Sequence, residues 1–240
     1  MIALTPFNGG RRLLLTAGVV GLAGLAVSGV GLWLEPKRAL YGYLVAFAYW
    51  LGIALGALIL LGAFHASNAR WPVVLRRFLE HVPAVIPLFV VLFLPIFLGR
   101  HHLFPWVDPA GLEGEMKRAV EHKLPWLRAD RFLLRAAFYF AFWIVVGELL
   151  RRWSMRQDAA GGVTLTRWQR RLGAGALPFL ALTLSFAAFD WLMSVDPRFY
   201  STIFGVYWFA GSFMSIFAVT IIAARASRKD ATQFGAHLSA

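Results

Sequence analysis

The feature of this sequence that most limits its fold is a series of six apolar runs, each about 17 to 25 residues long. A helix rises about 1.5 Å per residue, so a run of about 20 residues crosses the roughly 30 Å hydrocarbon layer of a bilayer. Only 15% of the residues are charged, against about 25% in an average soluble domain. We predict an all-α, multi-pass membrane protein, a single transmembrane helical domain over residues 1–240 with spans at 13–34, 40–64, 82–98, 132–150, 172–193 and 202–224.

The positions of Lys and Arg predict the orientation of these helices, because positively charged loops are retained on the cytoplasmic side. One side holds three acids outside the predicted spans, Glu80, Asp158 and Asp230, beside a large set of basic residues. This basic set is Arg11, Arg12, Arg70, Arg76, Arg77, Arg151, Arg152, Arg156, Arg167, Arg170, Arg171, Arg225, Arg228 and Lys229. The other side balances ten Lys and Arg with eight acids. We therefore predict that both termini are inside, and we attribute the net charge of +12 to topology and not to a nucleic-acid partner.

The chain has no cysteine, which excludes disulfides, thiolate zinc sites, Cys-ligated iron–sulfur clusters and covalent c-type haem within it. A b-type haem held by two histidines needs them at similar depth on facing helices. The histidines near the predicted spans, His65, His81, His101 and His102, all lie at helix ends. We therefore expect no intrinsic haem, iron–sulfur cluster or metal site. No P-loop, GxSxG or HExxH motif predicts a complete catalytic site either.

Two segments carry signals for local structure. In the loop after the third span, Asp108 and Pro109 are suited to begin a helix. We predict a short interfacial helix there, with an apolar stripe made of Leu112, Met116, Ala119 and Leu124. In the third span, Pro83, Pro87 and Pro95 predict a bent helix that is buried in the bundle, since carbonyls freed by proline need partners.

Small residues predict two seams at which helices approach closely. The second span contains the GxxxG pair Gly52 and Gly56. The first span carries a stripe on one helix face, made of Ala17, Gly21, Gly24, Ser28 and Gly31. We expect both seams to pack within one compact bundle.

The fifth and sixth spans, with the short segment that joins them, are the most informative part for function. Each helix has one face of polar and small residues: Thr183, Ala187, Asp190 and Ser194 in the fifth, and Ser201, Gly205, Trp208, Ser212 and Ser215 in the sixth. We expect the two faces to line a common interior. Asp190 is a candidate for proton transfer, because partial desolvation would raise its pKa. A water-exposed carboxylate, or a pair with Arg198, is an equal alternative.

Asp196 is a second candidate for proton transfer. The preferred interpretation is structural, with Asp196 as the N-cap and Pro197 as the first residue of the sixth helix. The aromatic side chains around it fit an interfacial belt on the outer side: Trp191, Phe199 and Tyr200.

The fourth span holds the remaining candidates. Glu148, near its inner end, is placed to take up protons, although Arg151 and Arg152 are in register for an ion pair with it. Near the outer end, Arg135 and Tyr139 share a face and are candidates for contact with a quinone headgroup, with snorkelling of Arg135 as the stronger alternative. The other candidates for a hydrogen bond to a quinone end the third span: His101 and His102.

Three stretches resemble a known family of membrane subunits. Residues 189–212, FDWLMSVDPRFYSTIFGVYWFAGS, are similar to the ActF subunit of alternative complex III, a bacterial quinol:cytochrome c oxidoreductase. Residues 103–106, LFPW, and residues 135–143, RAAFYFAFW, resemble the same subunit more loosely. ActF belongs with the NrfD and PsrC type of quinone-interacting membrane subunits.

The resemblance implies a quinone cofactor, menaquinone or ubiquinone, with quinol oxidised near the outer face and protons released there. It implies a location in the bacterial inner membrane beside an ActC-like paralogous subunit, an iron–sulfur subunit and c-type haem subunits. Proton transfer by Asp190, Asp196 and Glu148 is the hypothesis that it suggests. Family members have further spans, arranged as two four-helix bundles with flanking helices, so we expect this chain to match the N-terminal part of a longer member.

Two other functions stay open at this point. Six spans with polar seams also suit half of a membrane transporter, although no inverted repeat and no charge in the middle of a span supports that reading. A non-catalytic scaffold subunit of the same complex is the other alternative. The expected function is therefore that of a non-autonomous, quinone-interacting subunit with no catalytic residue of its own.

Overall fold

A computed structural model describes residues 10–69, 73–160 and 163–230 of the chain. The secondary structure in these ranges is entirely helical. Six stretches are long and apolar enough to cross a membrane: Leu14–Leu34, Pro36–Ala66, Leu75–Leu98, Ala129–Asp158, Thr164–Val195 and Phe204–Arg225. The prediction of an all-α, multi-pass membrane protein is confirmed. In the predicted orientation, the inner side is the one that carries the excess of Lys and Arg, and the outer side is the opposite one.

The spans and the loop helices are numbered in chain order. Five spans consist of one long helix each: α1 (Gly10–Leu34), α2 (Pro36–Ala66), α8 (Ala129–Ala160), α9 (Thr164–Trp191) and α10 (Phe204–Asp230). The third span is divided into α3 (Val73–His81), α4 (Ile86–Leu92) and α5 (Leu94–Leu98). Two short helices follow it in the outer loop, α6 (Arg100–Leu103) and α7 (Gly114–Lys123).

Helix α2 lies at the centre of the bundle. It packs along α9 and α10, and α8 packs on α9. Because α2 is apolar on all sides, it can be surrounded by other helices without burying a charge. From Leu51 to Gly62 every residue except Ile59 is buried, including Leu55, Leu58 and Leu61.

The predicted seam at Gly52 and Gly56 brings α10 into direct contact with the α2 backbone. A Cβ atom at Gly56 would lie 2.7 Å from the carbonyl oxygen of Ser212, closer than a carbon and an oxygen can approach. A Cβ atom at Gly52 would overlap the Ser212 hydroxyl. Glycine is therefore required at this crossing because it lacks a side chain.

The expectation that the stripe on the first span packs within the bundle is wrong. Among the described residues, no atom of another part of the chain lies within 4 Å of a Cβ atom built at Gly21 or Gly24. A Cβ atom at Gly31 would lie 3.3 Å from the Cβ atom of Ala39 in α2. Helix α1 joins α2 through Glu35, and α9 and α10 already cover much of α2. The stripe is therefore left on the exterior of the chain.

The prolines break the third span as predicted, but the span is buried on one face only. The face toward the core consists of Ile86, Phe89, Phe93 and Ile96. The expectation of a wholly buried span is wrong for the opposite face, which exposes Leu88, Val91, Leu94 and Leu98. Beside the break, the Leu92 carbonyl accepts a hydrogen bond from the Tyr43 hydroxyl at 2.7 Å. The Tyr43 side chain of α2 thus supplies a hydrogen-bond donor to a carbonyl beside the break, where a regular helix would supply a backbone N–H.

The predicted helix in the outer loop is present as α7, but its predicted start is wrong. Asp108 makes no side-chain cap, and Pro109 begins only a short 3₁₀ turn. Helix α7 begins at Gly114, whose φ of +59° favours glycine and separates the turn from the helix. The predicted stripe is partly buried alongside the fully buried Val120: Leu112, Met116, Ala119 and Leu124.

We expect Gly56→Ala to lower the free energy of unfolding by about 1–3 kcal/mol, because the added methyl group forces α10 away from α2. The measurement is unfolding of the full chain in mixed detergent micelles, followed by circular dichroism. Gly21→Ala is the matched control, since its methyl group meets nothing, and it should not lower stability. An equal loss of stability in the two variants would contradict the conclusion that Gly56 is required for the contact between α2 and α10.

Candidate functional site

A completely buried carboxylate lies at the outer end of α9. The side chain of Asp190 is 0% exposed, and four hydrogen bonds reach its two oxygens. Arg135 donates two of them, from Nε to Oδ2 and from Nη2 to Oδ1, both at 2.8 Å. The Tyr139 hydroxyl donates to Oδ2 at 3.0 Å, and the Trp126 indole donates to Oδ1 at 2.7 Å. We call these four residues the Asp190 cluster.

Three parts of the chain build this cluster. Arg135 and Tyr139 are four residues apart on α8, so their side chains project from one helix face toward α9. Trp126 comes from the outer loop, where its carbonyl accepts a bond from Arg135 Nη1 at 2.8 Å. Its ring also lies 4.2 Å from the Arg135 guanidinium. The sequence offers no pattern that pairs Trp126 with a residue 64 positions later.

Protein groups compensate the charge of Asp190. A buried carboxylate is costly unless it is paired and hydrogen-bonded, and a two-point contact with arginine is among the strongest such pairs. Arg135 is itself largely enclosed, with 16% of its side chain exposed. The predicted desolvation of Asp190 is therefore confirmed. Both alternatives for Asp190, exposure to water and a pair with Arg198, are wrong. The stronger expectation for Arg135, that its side chain snorkels to the membrane surface, is also wrong, because Arg135 pairs with the buried Asp190.

Aromatic rings extend the cluster toward the centre of the membrane. The ring of Tyr139 stacks on Trp143 at 6.0 Å between centroids, and Trp143 donates from Nε1 to the Thr183 hydroxyl at 2.9 Å. Trp191 packs edge-on against Trp143 at 5.9 Å and is buried. The expectation that Trp191 belongs to an interfacial belt is wrong, because its ring is enclosed by this aromatic core.

The two polar faces predicted on the fifth and sixth spans are used differently. All four residues of the α9 face are buried: Thr183, Ala187, Asp190 and Ser194. The α10 face packs elsewhere, since Ser212 meets the glycines of α2, and a Cβ atom at Gly205 would overlap Ser185. The expectation of a common interior is therefore wrong. The close α2–α10 crossing holds the α10 face away from Asp190.

Asp196 lies in an exposed turn and does not begin a helix. Its carboxylate accepts three bonds from Arg198, from the backbone N, Nε and Nη2, each at 3.0 Å. Helix α10 begins only at Phe204, so the predicted cap at Asp196 and Pro197 is wrong. The Arg198 side-chain hydrogen bonds hold the pKa of the Asp196 carboxyl below its usual value. The nearby charge of Lys123 acts in the same direction.

Lys123 ties the outer loop to this turn. Its Nζ, at the end of α7, donates to the carbonyls of Pro197 at 2.6 Å and Phe199 at 3.1 Å. Since Trp126 follows three residues later, one short segment contacts both the turn and the Asp190 cluster. The outer end of the bundle is thus closed by the loop.

The other predicted candidates lie apart from the cluster. Glu148 accepts two bonds from Arg151 at 2.9 Å and one from Arg152, which is the ion pair that the sequence offered as an alternative. His101 and His102 are exposed on α6. Within the ranges that the structure describes, no hydrogen bond or ion pair connects these three residues to the Asp190 cluster.

A second buried acid was not predicted as a site. Glu80 of α3 is buried and pairs with Arg76 at 3.3 Å and with Arg77 at 2.7 Å. Both arginines also contact Asp158 of α8, so this group joins α3 to α8 at the inner end. The sequence signal that could have predicted this pairing is the spacing, because Glu80 follows Arg77 by three residues and Arg76 by four.

Neither a metal site nor a relative adds to this description. Among the described residues, no three His, Asp or Glu side chains converge in a way that could hold a metal ion. Comparison of the sequence with protein-family models and with curated proteins gave no match. The site is therefore defined by its own geometry, as a buried carboxylate held by arginine, tyrosine and tryptophan.

We expect Arg135→Met to lower the free energy of unfolding by about 3–5 kcal/mol, because it leaves the Asp190 carboxylate buried without its main partner. The double variant Arg135→Met/Asp190→Leu should be more stable than Arg135→Met alone, since it removes the orphaned charge. Detergent unfolding curves of both variants and the parent chain measure this. Arg198→Met, which breaks an exposed pair, is the control and should lower stability far less than Arg135→Met does. An unchanged free energy of unfolding in Arg135→Met would contradict the conclusion that Arg135 compensates the charge of Asp190.

The depressed pKa of Asp196 gives a second prediction. A carboxyl with a lowered pKa stabilises the folded turn above its usual pKa, and this contribution disappears as the pH falls through the folded-state pKa. Carboxyl ¹³C NMR, with Asp196→Asn to assign the signal, should show titration below the usual range of aspartate. In Arg198→Gln the same signal should titrate at higher pH. An unshifted midpoint in that variant would show that Arg198 is not the cause.

Proposed function

We propose that this chain is a quinone-interacting membrane subunit of a quinol:cytochrome c oxidoreductase of the alternative complex III type. It supports quinol oxidation near the outer face and proton release there. Electrons pass to iron–sulfur and c-type haem groups on partner chains, because this chain has no cysteine to hold such groups. Its setting is the bacterial inner membrane, beside an ActC-like subunit.

The observation that carries this proposal is the contact between two of the stretches that resemble ActF. Residues 135–143 supply Arg135 and Tyr139, and residues 189–212 supply the Asp190 that both of them bind. The third stretch lies nearby, since Phe104 and Trp106 pack on Phe132, one turn before Arg135. Stretches that are far apart in the sequence therefore meet around one buried charge, as parts of one site would.

Arg135 and Tyr139 are the residues proposed to face the quinol headgroup. Three of the five N–H groups of Arg135 bind Asp190 and Trp126, which leaves two for a quinol oxygen. Asp190 fixes the guanidinium and the tyrosine hydroxyl in place, so it acts first as a positioning residue. When Arg135 or Tyr139 donates a hydrogen bond to the quinol and no longer to Asp190, an oxygen of the Asp190 carboxylate becomes free to accept a proton.

The proposed proton route leads outward. Asp196 lies beyond the cluster, and its lowered pKa keeps it ionised at neutral pH. It therefore accepts a proton from the cluster only briefly before that proton passes to water. Glu148 is held by two arginines at the inner end, so a role in proton uptake requires that pair to open. The proposal therefore assigns proton transfer first to Asp190 and Asp196, with Glu148 as the inner candidate.

The first experiment is capture of the full chain from detergent-solubilised native membranes, followed by a haem c stain and a quinol:cytochrome c assay. Co-purification of c-type haem subunits with activity is the expected result. A chain that elutes without haem or activity would contradict membership of such a complex, and it would favour the transporter alternative.

Variants of the intact complex test the site. Tyr139→Phe and Asp190→Asn should each lower kcat/KM for quinol by about tenfold or more, equivalent to about 1.4 kcal/mol. Asp108→Asn is the matched control, since Asp108 is exposed and lies outside the proposed site. Assembly is checked by the haem content of each preparation. Unchanged kcat/KM in complexes with full haem content would support a scaffold role instead.

A further inference from the structure

A polar cavity of about 80 Å³ lies at the opposite, inner end of the bundle. It is enclosed by the end of α2, the start of α3, the end of α8 and the start of α9. Its polar lining consists of His65, Asn68, Arg76, Gln157, Thr166 and Gln169. None of these residues belongs to the Asp190 cluster, so the cavity is independent of the proposed quinone site.

Hydrogen-bond donors in this cavity lack acceptors. Gln169 is 1% exposed, and its side-chain Nε2 has no partner. The Nε2 atom of His65 is likewise buried without a partner, and it is a donor in the tautomer that carries the proton on this nitrogen. Arg76 uses Nε for Glu80 and Nη2 for Asp158, which leaves the N–H groups of Nη1. A buried donor without an acceptor is costly, so these groups indicate a guest that supplies acceptor oxygens.

The field at the cavity favours a negative guest. Thr166 and Gln169 lie in the first two turns of α9, a 28-residue helix whose N-terminal end carries partial positive charge. Three arginines follow on the same helix, but their side chains are exposed, so water and salt screen their charges: Arg167, Arg170 and Arg171. Glu80 and Asp158 offset Arg76 and Arg77, so the end of α9 provides the excess positive potential.

The size of the cavity limits the guest. About 10–15 Å³ in this measure holds one water molecule, so 80 Å³ holds several waters or one small polyatomic ion. Asn68 lines the cavity and is exposed, so the cavity is accessible from solvent at this residue. We propose that this cavity binds a phosphate-type oxyanion, either a free phosphate or the phosphate of a lipid headgroup, through Gln169, Arg76 and His65.

The key variant is Gln169→Glu, which keeps the shape of the side chain, replaces the unpartnered donor by an acceptor and adds a negative charge. Arg170→Gln is the matched control, because it removes a positive charge from the neighbouring, exposed position without altering the lining. One arm measures inorganic phosphate binding to the full chain in detergent by calorimetry. The other measures retention of phosphatidylglycerol against phosphatidylcholine by native mass spectrometry.

In at least one arm, binding to the parent chain should weaken tenfold or more in Gln169→Glu and stay within twofold in Arg170→Gln. An effect in the calorimetric arm assigns a free oxyanion, and an effect confined to the lipid arm assigns a headgroup. Equal binding in the parent and Gln169→Glu, or no binding in either arm, overturns the proposal and leaves a cavity that holds water. A loss in Arg170→Gln as large as in Gln169→Glu also overturns it, because diffuse surface charge would then explain binding.

Discussion

The compensation of one buried negative charge is the constraint on which the outer half of this structure depends. The side chain of Asp190 is fully buried from bulk solvent, and its four donors come from α8 and the outer loop. This requirement fixes the rotation of α8 against α9, because Arg135 and Tyr139 must both face the carboxylate. It also anchors the loop through Trp126. The same arrangement leaves Arg135 partly accessible, so the group that stabilises the helix pair is also the one best placed to meet a ligand.

The second constraint is steric and acts through α2. Gly52 and Gly56 let α10 approach until its Ser212 touches the α2 backbone, and this contact turns the polar face of α10 away from Asp190. The inner end is organised by charge again, since Glu80 is buried between Arg76 and Arg77 and Asp158 extends the pairing to α8. The two ends are thus chemically distinct. The outer one has a satisfied carboxylate, and the inner one has unsatisfied donors around a cavity.

The residues of the outer site were largely predictable, whereas their partners were not. The sequence indicated Asp190, Arg135 and Tyr139 as candidates because charged and hydroxyl groups are costly within apolar runs and are usually paired or functional there. Helical spacing placed each of them on the correct face of its own helix. Spacing says nothing about which face of another helix lies opposite, so the α10 stripe was assigned to the wrong interior. Similarly, Asp108 and Asp196 are each followed by proline, as at the start of many helices, yet each is followed by a turn and not by the predicted helix.

The sequence by itself determined the number of membrane-spanning helices, their approximate limits and the identity of the charged groups among them. These follow from the length of apolar runs and from the cost of placing polar groups in hydrocarbon, both of which are local properties of the chain. Only the tertiary structure decided that Asp190 binds Arg135, Tyr139 and Trp126, that the stripe of α1 stays unpacked, and that Gln169 lacks an acceptor. These outcomes depend on which helices pack against each other, and that choice is made by contacts between residues far apart in the chain.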